Sequence, residues 1–468
     1  MKAKLLISMA FTMMLFSANA TIEVASILGD NMVLQRNSEV KIWGKSAPNQ
    51  KLTISTSWNN TTYNTVANES GDWLVKVKTN EAGGPYSVNI SSKNEKVTLN
   101  NILLGEVWIC SGQSNMEMTM AGIPDSPVNG MNDALVDADN DNIRFITVNN
   151  TGMSTPQDTF QGIWKVSNAE TVAHFSALGY FYAKLLQKKL RIPIGMVNMS
   201  WGGSRIESWM SKETLANFPK SFESSSKETR IHQQPSKLYN GMVHPILNFG
   251  IKGVIWYQGE SNINYTEYAD LLVGMVANWR KDFGIGEFPF YFVQIAPYQG
   301  TSSSNSTFRA LQRENHLKAS FLIPNSGMVS TIDIGEADNV HPAEKLTIAK
   351  RLSYWALSET YGFKGIFHKN PTFKSFETKD STLVLSFDNL GNGLSSFGKQ
   401  LDNFEVAGAD RKFYPAKAKI VNSKLEVFSP EVKQPVAVRY AFYDFPHGQG
   451  FLYNVAGIPV PPFRSDNW

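Results

Sequence analysis

The sequence predicts an α/β protein in which a mainly parallel central sheet is flanked by a β domain at each end. Three observations carry this. Across residues 97–362, short apolar runs alternate with longer stretches whose apolar residues recur at helical spacing. On either side of that region, apolar and polar residues alternate singly in short runs, the period of half-buried strands. Four of the middle runs end in polar, glycine-containing turns, the place where α/β sheets hold ligands.

At 468 residues the chain is long enough for two or three domains. The first twenty residues are expected to stand outside the fold. Lys2 and Lys4 precede an apolar run over 5–16, and Ala18, Asn19 and Ala20 form a small-residue cleavage site, the pattern of a secretory signal peptide. That run is too short to cross a bilayer, and no later segment is long and apolar enough to do so, so no membrane span is expected. The formal net charge is +3, and +1 once Lys2 and Lys4 leave with the leader, so neither nucleic acid nor an anionic membrane is implied as a partner. Cys110 is the only cysteine. Without a disulfide an exported protein must be stable through its cores alone, which fits a bacterial periplasm or cell exterior.

Residues 21–98 read as an N-terminal β-sandwich-like domain. Alternating runs at 40–43, 51–57, 62–66, 73–77 and 86–91 are separated by turn residues such as Pro48 and Asn49, Gly71 and Asp72, and Gly83 to Pro85. Residues 99–362 read as the catalytic α/β domain. A strand at 107–110 is followed by a helix at 176–190, a strand at 194–199, a strand at 253–257, a helix at 265–283, strands at 290–295 and 328–332, and a helix at 343–357. Residues 363–468 return to alternation at 383–387, 404–407, 418–421, 425–428 and 437–442, giving a C-terminal β domain. The Pro-rich tail at 458–463 is expected to lie extended along the surface, and the polar run at 301–307 to form a loop.

The chain is organised around residues 105–118, GEVWICSGQSNMEM. An apolar strand empties into a tight turn with a helix just beyond, which sets Ser114 at the carboxyl edge of the sheet beside first-turn amides. A serine there can attack an ester. It can equally be a helix cap, as can Ser111, and the stretch alone does not choose.

Acyl transfer also needs a base, a group that orients it, and donors for the oxyanion. Of the seven histidines, His341 stands out, because it follows a strand and a loop, precedes Pro342 and a helix, and has Asp338 three positions earlier in DNVH. A one-turn loop of this kind can bring a carboxylate to Nδ1 and leave Nε2 for the serine proton, although a capping carboxylate explains Asp338 nearly as well. Gly203 in the GGS turn offers a close backbone amide or is a turn glycine at positive φ, and Gln258 offers a side-chain amide or, following a strand, only satisfies neighbouring backbone. Glu260 reads as the carboxylate that fixes its loop, and Ser204 and Ser261 are competing nucleophiles less clearly set at an elbow.

Other chemistries find less support. Asp333, Glu336, Asp338 and His341 lack a second histidine at ligand spacing, so no metal is expected. Glu260 and Asp333 could form a glycosidase pair, which spacing in sequence cannot show. The GxSxG elbow is absent.

Taken together, GQSNM, WGGSRIESW, WYQGESN and DNVHP, in this order, resemble the sialate O-acetylesterase family of the SGNH-hydrolase superfamily. The likeness extends to MVLQR at 32–36 and IWG near the start, and to VRYAFYDFP and PPFRSD near the end. The resemblance implies a flavodoxin-like three-layer SGNH-hydrolase core that removes O-acetyl groups from carbohydrate without a cofactor. It implies Ser114 as nucleophile, His341 as general base, and an oxyanion hole from the amides of Ser114 and Gly203 with the Gln258 side chain. Asp338 matches the superfamily's DxxH spacing. Members of this branch vary there, and a Ser–His pair oriented by a backbone carbonyl is the alternative.

Arg205, Gln113, Glu260 and Trp201 are the candidate substrate contacts. A guanidinium at Arg205 can hold a sialic acid carboxylate bidentately, or pair with Glu207 or another neighbour. Trp201, with Trp209, Trp256 and Tyr257, offers flat surface for a sugar, or belongs to the core. The expected substrate is 9-O-acetylated sialic acid. The alternatives are acetylated xylan or another hemicellulose and, from a different class, a glycan-binding protein without activity.

Overall fold

The computed structural model describes residues 21–264 and 266–468, so the expected signal peptide at 1–20 lies outside the described residues. The architecture is mixed α/β, a central sheet with parallel strands joined to antiparallel sheets on both sides. Its axis is β1 (Lys96–Gly112). The other central strands are β2 (Asn140–Thr147), β3 (Ile194–Ser200), β4 (Gly253–Tyr257), β5 (Phe290–Val293) and β6 (Ser326–Val329). They lie in the order β2-β3-β1-β4-β5-β6, all parallel, with Lys165–Ser167 antiparallel on the outer edge of β2.

Alternation along each strand divides the core into two layers. From β1, Val107 and Ile109 enter one apolar cluster, and Trp108 and Cys110 the other. Likewise Val254 and Trp256 of β4 face one way and Ile255 and Tyr257 the other. Helices α2 (Ala177–Leu190) and α5 (Lys345–Trp355) pack on the Trp108 side, while α3 (Tyr268–Phe283) and α4 (Phe308–Leu322) cover the Ile109 side. Their starts follow from local chemistry. Ser176 caps α2 by accepting from the Gly179 amide at 3.0 Å, and Gly284, at φ +64°, ends α3.

β1 also belongs to the N-terminal part of the molecule. Its first half pairs antiparallel with Gly83–Ser91, Val33–Gln35 joins it in parallel at residues 103–105, and its second half enters the central sheet. One continuous strand therefore carries the chain from the N-terminal strands to the GQSN turn. A three-stranded sheet of Glu23–Val24, Glu39–Lys45 and Asp72–Lys78 adds its apolar side to the Ile109 layer.

The C-terminal strands form a seven-stranded antiparallel sheet around their own apolar cluster. The tail at 458–463, expected on the surface, is buried instead. Phe463 stacks on Phe373 at 4.6 Å and pairs with Tyr440 as an edge strand, while Pro459 O accepts from Asn370 Nδ2 at 2.9 Å. Apolar side chains alternating with prolines supply a face worth burying, which composition alone did not reveal.

Candidate active site

Four turns at the carboxyl ends of β1, β3, β4 and β6 meet in one crevice, and buried amides and carboxylates tie them together. At the end of β1, Gly112 has φ +136°, and a Cβ there would lie 2.1 Å from Tyr257 O, so only glycine lets the strand turn beside β4. Gln113 takes the cap position before the one-turn helix Ser114–Glu117 but makes no capping bond. Ser111 donates to Met199 O at 2.6 Å. Neither serine is a cap, and the Ser114 hydroxyl lies 2.8 Å from His341 Nε2.

The other turns are positioned from this one. Gln113 Oε1 accepts from the amides of Gly259 and Ser261, both at 3.3 Å, which holds the QGES turn. Asn115 Nδ2 donates to Glu260 Oε1 at 2.7 Å and to Val340 O at 3.0 Å, which holds the histidine loop. Glu117 Oε2 accepts from the Gly202 amide at 2.6 Å, and the Trp201 amide donates to Gly112 O at 3.0 Å, which holds the GGS turn. A Cβ on Gly202 would lie 3.4 Å from Ser114 Cβ, so this turn passes directly beside the serine. Among the described residues, the amides of Ser114 and Gly203 have no protein acceptor. The Gly203 carbonyl accepts from Gln233 Nε2 at 2.8 Å, which fixes that peptide.

His341 is half-buried, and its pKa is lowered, first by burial and then by the positive charge of Lys345. The imidazole is therefore biased towards its neutral form, in which Nε2 can accept a proton. Its loop is pinned from inside. Asn339 Oδ1 accepts from the His341 amide at 2.9 Å, and Glu336 accepts from the Ala343 amide at 2.7 Å and from Asn339 Nδ2 at 3.1 Å. Trp201 tilts against His232, with ring centroids 5.2 Å apart, and His232 Nε2 borders Gly203.

Several expected site residues stand elsewhere. Asp338 is exposed, and among the described residues no hydrogen bond joins it to His341, because the loop turns the neighbouring Asn339 inward. Gln258 is fully buried, and its Nε2 donates to Ser204 O at 3.1 Å and Asn262 Oδ1 at 2.8 Å while its Oε1 accepts from Tyr268. Both N–H groups are engaged inside the fold, so the side chain is not presented to an oxyanion. Arg205 pairs with Glu228 at 2.6 Å. Ser204 is buried and accepts from Trp209 Nε1, which removes it as a nucleophile. Asp333 forms a two-pronged pair with Arg351 at 2.8 and 2.6 Å, leaving it no part in a metal set or a glycosidase pair. Glu260 Oε1 accepts from Asn115 of the neighbouring turn, and burial raises the pKa of its carboxyl.

Asn115, Glu117, His232 and Lys345 were not singled out from the sequence. For Glu117 a signal existed, since it lies one turn after Ser114 on a helix and so shares its side. Lys345 gave a weaker one, a cation in the first turn of a helix, where the dipole disfavours it.

Comparison with known proteins sets this architecture in a class, the carbohydrate esterases. A family profile described as "Carbohydrate esterase, sialic acid-specific acetylesterase" matches residues 104–353, and the chain belongs to that family. Among curated relatives, the sialate O-acetylesterase of Mus musculus is 29% identical, covering 96% of this chain and 95% of its own. That of Homo sapiens is 28% identical over 96% and 93%. The crystal structure of a carbohydrate acetylesterase from Xanthomonas citri superposes with a TM-score of 0.88 at 33% identity, covering 96% of this chain and all of that one.

Proposed function

We propose that the protein is an exported serine esterase that removes O-acetyl groups from carbohydrate, with 9-O-acetylated sialic acid as the preferred substrate. The observation that carries the mechanism is the 2.8 Å approach of Ser114 Oγ to a half-buried His341 Nε2 where four sheet-edge turns converge. In the first half-reaction, Ser114 Oγ attacks the acetyl carbonyl and His341 Nε2 takes its proton. The oxyanion lies against the amides of Ser114 and Gly203. Collapse breaks the ester C–O bond, and the sugar oxygen leaves with the proton from His341. Water then attacks the acetyl-serine with the same histidine as base, releasing acetate. With Asp338 outside, a Ser–His pair is the economical reading of the base.

The sialic acid assignment draws support from the family and from the relatives' printed activity. A second reading, an acetylated neutral polysaccharide such as xylan, is favoured by one observation. The guanidinium best placed in sequence to read a carboxylate, Arg205, is already paired with Glu228. Acetate release by the protein and its Ser114→Ala variant, on 9-O-acetylated sialic acid and on acetylated xylan, separates these. Serine-dependent release from the sialic acid alone supports the first reading, and release from xylan alone the second. Release that survives the substitution would overturn the mechanism.

A further inference from the structure

Beneath the crevice lies a charge that the acyl-transfer steps do not use. Lys345, four residues after His341 in the first turn of α5, is fully buried, and its Nζ donates to Asn115 Oδ1 at 2.6 Å. The same amide donates to Glu260 and to Val340 O. One side chain thereby joins the residue after Ser114, the residue before His341 and the QGES turn, and the lysine is the donor it accepts from. The charged groups that face Lys345 are Glu260 from the turn after β4 and Glu336 from the histidine loop. Arg309 of α4 acts on Glu260, Glu260 in turn raises the pKa of Tyr257 of β4, and the charge of Lys345 acts on His341. A buried ammonium carries a large desolvation cost, and a core needs no cation at this place.

We propose that Lys345 is a positioning residue of the esterase site. Its ammonium holds Asn115, and through it the turns of Ser114 and His341, and sets a positive charge four residues along the chain from the imidazole. This rests on the Ser114–His341 reading above. Burial brings Lys345 itself to about 7, so it is charged on the acid side of neutrality, where His341 titrates. Its charge opposes protonation of the imidazole, so removing the charge raises the pKa of His341. The acid limb of the rate profile then moves to higher pH. A lysine that merely packed the core would leave the limb in place.

The test is kcat/KM for acetate release from about pH 4 to about pH 8, with a thermal melt for each variant. Lys345→Gln keeps a donor for Asn115 without the charge, and its acid limb is expected to rise by roughly half a unit to one unit. Lys345→Met loses both, and should show the same rise with kcat lowered roughly 10- to 100-fold and KM nearly unchanged. Lys345→Arg keeps the charge and should keep the wild-type limb. Folded Gln and Met variants with an unmoved limb would overturn the proposal. Should neither fold, an NMR titration of the His341 imidazole in the wild-type protein is expected to show a second step as Lys345 loses its charge near about 7, and a single step would overturn it equally. Ser114→Ala runs alongside. Activity retained in that variant removes the underlying esterase mechanism, whereas its loss beside unmoved limbs removes only the role of Lys345.

Discussion

Asn115 Nδ2 donates to Val340 O at 3.0 Å, tying the residue after Ser114 to the residue before His341 across 225 positions of chain. The serine and the base are thus aligned by their neighbours in sequence rather than only by their own contact. The rates of variants should reflect this division between groups that react and groups that hold them.

Ser114→Ala and His341→Ala remove the proposed nucleophile and base. Each should lower acetate-release turnover by roughly 10³ to 10⁶ while leaving the thermal melt close to wild type, since both side chains line the crevice rather than a core. A fall of less than about tenfold in either variant would contradict its role.

Asp338→Asn is expected to stay within about threefold of the wild-type rate, because the carboxylate is exposed and not hydrogen-bonded to the imidazole. A loss of about 10⁴, as for a triad acid, would restore Asp338 to the mechanism.

The sequence made the scaffold legible and part of the site. Apolar runs ending in GQSN, GGSR, QGES and DNVH announced strands that stop at a common edge, and those turns do meet. Side-chain direction was not legible. Gln258 follows its strand as an exposed donor would, yet Tyr268, Ser204 and Asn262 claim it inside. In DNVH, loop geometry turns Asn339 rather than Asp338 inward, a choice made by Glu336 from the same loop. Lys345 reads as one more helix lysine until the tertiary fold closes over it. The partner of Arg205 lies 23 residues away, beyond the reach of local pattern.

That partner shapes the expectation for Arg205→Ala. The guanidinium is buried against a Glu228 that is about one-third exposed, so its loss should destabilise the fold by about 1–3 kcal/mol in a denaturant titration. The KM for acetylated sialic acid should change by less than about twofold among folded molecules. A large rise in KM without loss of stability would return Arg205 to substrate binding.

Glu117→Gln weakens the hold on the Gly202 amide beside Ser114. The GGS turn then presents Gly203 less firmly, and kcat should fall roughly 10-fold with little change in KM. Unchanged kcat would mean that the Trp201–Gly112 bond suffices to hold the turn.

Acid stability should follow His316. The ring is fully buried with Nδ1 2.8 Å from Gln312 O and Nε2 2.9 Å from Gln258 O; the two carbonyls favour the protonated ring, but desolvation, aided by the charge of Arg313, outweighs them and lowers its pKa from 6.5 to about 4. The unfolded chain therefore binds the proton first, and stability is lost as pH falls from about 6.5 towards about 4. The loss from this group amounts to about 3 kcal/mol. Thermal melts of His316→Gln should show a flatter dependence over that window, and a slope equal to wild type would assign acid lability elsewhere.

The most direct test of the central claim is covalent. The purified protein is treated with an organophosphate, residual acetate release is measured, and the modified peptide is located by mass spectrometry. One phosphoryl group per chain is expected, on Ser114, with activity lost in proportion to labelling. Full activity after treatment, or a label on another serine, would contradict it.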